Sequence, residues 1–295
     1  MSTQKFDTFI IGQPSLDINT DYDGTTISAY GGAVVYSGFA AGALGHPTAV
    51  LPKADLVKTD VGALFADAKN VTVFPVSSTH DTSISNVYHT ADRERRTCKA
   101  ISSIDPYLVS EIPAIDAKIY HIAGLVHGDI GEEIIAFAAK KAKVAVDVQC
   151  LLRWVENGDM VFHDWAQKKG YLPMIDYLKT DAAEAEILTG LTDRPAAAKQ
   201  LFDWGAKEVM ITHNTEVLVY DGKNCYTQPI KSRNLSGRTG RGDTTFAGYL
   251  NERISGDIPT ALLWATALVS LKMETPGPFM GAREDVEEYI RMFYR

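Results

Sequence analysis

Residues 236–248 read Ser-Gly-Arg-Thr-Gly-Arg-Gly-Asp-Thr-Thr-Phe-Ala-Gly, the stretch of this chain whose residue types and spacing point most directly to chemistry. Gly240 and Gly242 permit a tight turn. Behind it, residues 245–254 carry a helical pattern, with Phe246, Tyr249 and Leu250 at i, i+3 and i+4 as an apolar stripe. The amides of the first helical turn would then face the glycine turn, a geometry that binds a transferring phosphate without positive net charge. Arg241 adds a local cation. Asp243 has two readings of equal weight. It is a helix cap worth about 1 kcal/mol, or a base that takes a proton from a substrate hydroxyl and aims the oxygen at a terminal phosphoryl group.

Such a turn needs a scaffold, and the hydrophobic pattern supplies one. Residues 6–11 form a short apolar run, a strand ending at Gly12. Gly31-Gly32 opens a run of small and apolar residues, 33–44, that ends at Gly45 and reads as a closely packed helix. A strand at 46–51, a helix at 55–68 and a strand at 71–75 follow. From Lys118 the rhythm is strand 119–122, helix 130–140, strand 144–148, and residues 186–188, 196–204 and 209–212 continue it as strand, helix and strand. Residues 217–220 and 225–229 flank Asp221-Gly222 as a hairpin. Helices at 243–254, 258–273 and 285–293 close the chain. This alternation predicts a mostly parallel sheet covered by helices. Residues 17–30 are polar and residues 82–88 alternate imperfectly, as exposed strands do. The charged stretch at residues 92–96 is a solvated turn or a substrate-side segment. One α/β domain over 1–295 with a small polar appendage fits better than two equal domains.

Composition narrows the function. The 295 residues are 45% hydrophobic and 22% charged, enough for a sizeable core. A net charge of −8 argues against a nucleic-acid partner. Cys98, Cys150 and Cys225 are widely spaced with no CxxC pair, so neither a disulfide scaffold nor a zinc cluster is expected. The polar start lacks a secretory pattern. The apolar run at 258–273 is interrupted by Ser270 and Lys272 and falls short of a membrane span. The expectation is a reduced, cytoplasmic protein with no membrane partner. No P-loop motif and no Gly-x-Gly-x-x-Gly after the first strand is present. His121 and His127 lack metal-site spacing and read as loop or substrate-side residues.

Residues 238–250 resemble the C-terminal signature of the ribokinase-like, or pfkB-type, carbohydrate kinases. Gly240, Gly242 and Asp243 match its Gly-x-Gly-Asp centre, and Phe246, Ala247 and Gly248 match the helix that follows. Gly31-Gly32 through Leu44-Gly45 resembles the family's first signature. The resemblance implies a three-layer α/β/α core with a mostly parallel central sheet and a small β lid, here from about residues 18–30 and 82–97. It implies ATP-dependent transfer of the γ-phosphoryl group to a hydroxyl of a small sugar or cyclic polyol. Asp243 would be the base, and the amides around Gly240, Arg241 and Gly242 the anion hole. Asp17 would bind substrate hydroxyls, and Gly31 and Gly32 would let the backbone approach the same polyhydroxylated substrate. Residues 179–190 resemble the family's Asn-x-x-Glu segment, with Glu184 matching the glutamate and Asp181 replacing the asparagine. Three apart, these two share a helical face, and their hard oxygens suit Mg²⁺ held through water by Glu184. Without the other motifs they read as a solvated acidic helix start.

Several positions depart from the family pattern. Tyr36 stands where an asparagine is common in the substrate site, Gly237 where an acid often precedes the motif, and Arg241 where a small residue is usual. Thr212-His213-Asn214 replaces Thr-x-Gly in the nucleotide loop, leaving Thr212 and Asn214 as the matching nucleotide-site residues. These departures bear on nucleotide preference, on a monovalent-cation requirement and on substrate class. A nucleoside kinase, with Phe39 or Tyr88 stacking on the base, is the close alternative. A catalytically silent small-molecule binder is the third reading. Exposed lid strands would also suit a homodimer.

Overall fold

The structure is a computed structural model that describes residues 5–90 and 95–295. Residues 91–94, including most of the charged stretch at 92–96, lie outside the described residues. Seven parallel strands form the body of a nine-stranded sheet. In spatial order they are Val71–Val73, Thr48–Leu51, Lys5–Ile11, Asp116–Ile122, Lys143–Asp147, Tyr177–Asp181 and Val209–Thr212. Glu216–Tyr220 and Cys225–Pro229 extend it antiparallel, through the turn expected at Asp221-Gly222.

The short apolar runs are strands because both sheet faces are covered, so successive side chains all find a dry neighbour. Val144 and Val146 belong to the buried cluster under one helical layer, which Ile134, Ile135, Ala185, Leu188, Ala197 and Leu201 join from the helices. Ala145 between them faces the other, made by Phe246, Tyr249, Leu250, Ala261 and Leu262. Burying a side chain such as Phe246 contributes roughly 1.5–3 kcal/mol. The helices of the first layer are Glu132–Ala138, Ala182–Thr189 and Arg194–Asp203; Arg241–Glu252 and Ile258–Lys272 belong to the second. The result is the expected three-layer α/β/α core. Every residue of the helix Ala33–Ala43 is buried. A Cβ on its Gly42 would lie 1.8 Å from the Lys69 carbonyl, which is why its residues are so small.

A second sheet runs in the order Arg153–Glu156, Asp159–Phe162, Arg96–Ser102, Thr82–Tyr88, Ser15–Thr20, Thr26–Gly31. Three of its strands, Ser15–Thr20, Thr26–Gly31 and Thr82–Tyr88, fall in the polar segments picked out in the sequence, and Arg96–Ser102 begins only where the expected lid ends. The other two, Arg153–Glu156 and Asp159–Phe162, were not anticipated, although their Asn157-Gly158 turn is a strong hairpin signal. Both turn residues have positive φ, 53° and 87°.

Two expected elements are corrected. The helix at 55–68 is reduced to the single turn Val61–Leu64, because the Asp55 carboxylate accepts from the Val57 amide and holds a separate turn. Residues 186–188 are not a strand but part of the helix Ala182–Thr189. The strand is Tyr177–Asp181, and Asp181 caps the helix that follows it. Among the described residues the three cysteines are free, and no helix is long and apolar enough to cross a membrane.

His46 ties the first strand to the end of the helix Arg241–Glu252. Its Nδ1 lies 2.7 Å from Asp7 Oδ2 and its Nε2 3.4 Å from Glu252 Oε1. Burial disfavours the imidazolium, yet Glu252 and Asp7 outweigh it and raise its pKa above the ordinary histidine value. A raised histidine stabilises fully below the unfolded value of about 6.5, and the contribution is lost as pH rises through the folded value. His46→Gln should therefore lower Tm by roughly 2–4 °C at pH 6, with the gap to wild type narrowing by pH 8 in a thermal melt series. A gap that widens with pH would refute the pairing.

Candidate active site

Parallel strands deliver their C-terminal ends to one edge of the sheet, where α/β ligand sites form. Here Asp147, Lys179, Asp181 and Thr212 end or nearly end their strands. Two helix N-termini, at Gly32 and Gly240, open towards the same edge. Between them and the second sheet lies a cleft of about 350 Å³, lined from Asp17 to Asp243.

Gly240 is the N-cap of the helix Arg241–Glu252, at φ 77° and ψ 11°, and no side chain caps that helix. Asp243 sits in its first turn instead, so the capping reading falls away. Its carboxylate lines the cleft, while Ser37 Oγ donates to its backbone carbonyl at 3.4 Å. Burial pushes the Asp243 carboxyl up to about 6, Asp147 adds to the rise, and Lys179, Arg153 and Lys272 pull against it. Such a group is ionised at neutral pH and close to the optimum for taking a proton.

Tyr36 explains one departure from the family pattern. A Cβ on Gly240 would lie 2.2 Å from Tyr36 Cγ, and one on Gly31 would lie 3.3 Å from the Tyr36 hydroxyl and 3.0 Å from Asp17 Oδ2. The ring therefore packs on the glycine turn, and its hydroxyl end reaches Gly31 beside Asp17. Gly32, at φ 99°, would place a Cβ 2.5 Å from the Gln13 carbonyl. Asp17 itself accepts from Ser15 Oγ at 2.7 Å, and burial raises its pKa.

Asp181 and Glu184 form a reciprocal cap. The Glu184 amide donates to Asp181 Oδ1 at 2.8 Å, and the Asp181 amide to Glu184 Oε2 at 2.7 Å. Burial pushes Glu184 up to about 7 against the pull of Lys179. Lys179 Nζ donates to Asp147 Oδ2 at 2.9 Å, lies 3.9 Å from Glu184 Oε2, and would be 3.2 Å from a Cβ on Gly242. Burial works against that ammonium, yet Asp147, Glu184, Asp181 and Asp243 outweigh it and hold it above the usual lysine range. Among the described residues no group of three metal-ligating side chains converges. Asp181 and Glu184 both line the cleft, which fits a Mg²⁺ that keeps most of its waters rather than an all-protein cage.

Four lining or adjoining residues were not singled out from the sequence: Asn86, Arg153, Lys179 and Lys272. Asn86 Nδ2 donates to Asn19 at 3.1 Å, while its buried Oδ1 has no partner among the described residues. Arg153 enters on the unanticipated hairpin and donates to Gln149 Oε1 at 2.7 Å. Lys179 had a signal, two residues before Asp181 at the strand's end. The two histidines are structural. His121 is buried in its strand, edge-on to Phe246 at 5.0 Å, and burial pushes it down to about 4. His127 stacks on Trp154 at 3.6 Å, and its amide donates to the Arg153 carbonyl at 2.7 Å. Thr212 lines the cleft, whereas Asn214 is exposed and accepts from Arg241 Nη2. Phe39 stacks on Phe65 in the core and is absent from the cleft lining, which leaves Tyr88 there.

A family model for pfkB family carbohydrate kinases matches residues 66–281. The chain belongs to that family. A pyrophosphate-dependent kinase in the ribokinase family, solved in complex with sulfate, is 36% identical to it at a TM-score of 0.87, covering 95% of this chain and 99% of that one. A pyrophosphate-dependent myo-inositol-1 kinase, converted into a myo-inositol-3 kinase by two substitutions, is 33% identical at 0.86, covering 98% of this chain and 100% of that one. A cytidine kinase from Thermococcus kodakarensis is 26% identical over 255 residues, covering 83% of this chain and 87% of its own. This pfkB kinase is thus a phosphotransferase acting on a hydroxyl of a small sugar or polyol.

The contact between Tyr36 and Gly240 predicts a coupling across the site. Gly240→Ala meets both a left-handed backbone, costing about 1–2 kcal/mol, and the tyrosine ring. Adding Tyr36→Ala should relieve the ring clash alone, so the double variant should melt higher than additive Tm losses predict. Strict additivity would remove the contact from the account.

Proposed function

We propose that this kinase transfers a phosphoryl group from inorganic pyrophosphate to one hydroxyl of a cyclic polyol of the inositol type. The observation that carries the donor assignment is the lining around the glycine turn. Lys179, Arg238 and Arg241 stand there, Leu235 is the one apolar side chain among the described cleft-lining residues between Lys179 and Asp243, and Arg241 spans to Asn214. A base needs an apolar slot; a compact, highly charged anion needs this density of cations and amides. The expectation of ATP yields to pyrophosphate in this reading, and the pyrophosphate-dependent relatives support it. For the acceptor, Asp17, the unpartnered Asn86 Oδ1, Gln149 and Arg153 offer polar groups to several hydroxyls at once. A nucleoside acceptor is favoured only by Tyr88 and by the cytidine kinase relative.

In the proposed reaction an acceptor hydroxyl hydrogen-bonds to the Asp243 carboxylate, which orients its oxygen in line with the donor phosphorus. The new P–O bond forms as the bridging P–O bond breaks. The hydroxyl proton passes to Asp243, and inorganic phosphate leaves. Amides of residues 240–242, Lys179 and Arg241 hold the charge on the transferring group. A hydrated Mg²⁺ held by Glu184 and Asp181 would neutralise the donor oxygens. The second sheet acts as a lid, excluding water that would otherwise intercept the phosphoryl group.

The test is a matrix of donors, pyrophosphate and ATP, against inositols, sugars and nucleosides with Mg²⁺, reading product mass. Pyrophosphate with an inositol should give a monophosphate. Transfer from ATP alone would overturn the donor, and transfer to nucleosides alone the acceptor. Asp243→Asn should cost about 10²–10⁴ in kcat. A base pushed up to about 6 is protonated below that pH, so kcat/KM should fall tenfold per unit on the acid side of about pH 6 and level off above it. A profile flat to pH 5 would exclude Asp243 as the base.

A further inference from the structure

The helix Ile258–Lys272 is apolar along almost its whole length, yet it ends on a lysine that is 1% exposed. A buried ammonium costs several kcal/mol unless it is paired. Among the described residues no carboxylate lies within ion-pair distance of Lys272. Its Nζ is given instead to main-chain oxygens, the Gly237 carbonyl at 2.6 Å and the Thr239 carbonyl. The Tyr36 ring lies beneath it, with the centroid 5.0 Å from Nζ. Both carbonyls belong to the strand-to-turn segment that leads directly into Gly240. That segment is also fixed from behind. The Gly237 amide donates to the Met273 carbonyl at 2.7 Å, and a Cβ on Gly237 would lie 1.9 Å from the Thr275 carbonyl.

Two carbonyl dipoles converging on one buried point repel each other unless a cation sits between them. Amides pointing the other way, into the cleft, are what the donor phosphate requires. Turning the carbonyls of 237 and 239 towards Lys272 leaves the following amides free to face the anion. We infer that the Lys272 ammonium is a resident cation of the phosphate-binding turn, filling a carbonyl cradle that would otherwise need a monovalent ion, so that this kinase works without one. Lys272 is a positioning residue: it touches the turn and the Tyr36 ring, and it acts on the donor only through them. Burial pushes it down to about 8 while the Asp243 carboxylate pulls it up, so it carries its charge at neutral pH.

The kinetic half of this inference rests on the proposed transfer reaction, so the experiment has a second readout that does not. At matched ionic strength, wild-type kcat should change less than about twofold among K⁺, Na⁺ and tetramethylammonium salts, whereas Lys272→Ala should lose at least about tenfold in kcat with polyol KM nearly unchanged. K⁺ or methylammonium, but not tetramethylammonium, should restore several-fold of that loss. In thermal melts the same ions should raise the Tm of Lys272→Ala and leave wild type unmoved, whatever donor the enzyme uses. If Lys272→Ala does not fold, the same salt titrations are run on Lys272→Gln. Several-fold stimulation of wild type by K⁺ would overturn the inference. So would a folded variant that keeps full activity, or one that no small cation rescues in either readout.

Discussion

A carboxylate base and an anionic phosphoryl donor have to share one cleft, and two unit charges about 4 Å apart near a protein surface repel by about 4 kcal/mol. The rest of the site is arranged around that repulsion. Lys179 lies between Asp147 and Glu184 and against Gly242, so one ammonium screens two carboxylates and still borders the donor turn. The helix Arg241–Glu252 presents its amide end there, adding fixed partial charge without a side chain. Arg153 and Lys272 lower the Asp243 carboxyl from two further directions. A chain with a net charge of −8 thus concentrates cations where its chemistry needs them.

Glycine is what made the core of the site legible in the sequence. Gly240 and Gly32 hold positive φ with other atoms packed where a side chain would be, so their residue type is dictated locally. Asp243, fixed in the first turn after Gly240, came with them. The helices after residue 241 were legible too, Ile258–Lys272 as a long apolar run and Arg283–Phe293 as a narrow stripe through Val286 and Tyr289. Tyr177–Asp181 was not: a five-residue run covered on both faces has no alternation to betray it.

The missed side chains share a different cause. Asn86, Arg153 and Lys272 are ordinary residues within their own segments. Asn86 gains its role from an unanswered oxygen, Arg153 from a hairpin in the second sheet, and Lys272 from carbonyls 33 and 35 positions away. Only the tertiary fold creates those partners. Asn157-Gly158 is the exception, a turn signal written plainly in the sequence.

The packing of Tyr36 on Gly240 and the anchoring of the turn by Lys272 have a consequence for biosynthesis. The first half of the site leaves the ribosome long before the helix that completes it. Until residue 272 has emerged, the glycine turn has no anchor, and Tyr36 has no turn to pack on until residue 240. Long-range closure of this kind is slow relative to local helix formation. The strands of the central sheet are therefore all synthesised before the residue that anchors the phosphate-binding turn, so the grip on a phosphate is completed only after them.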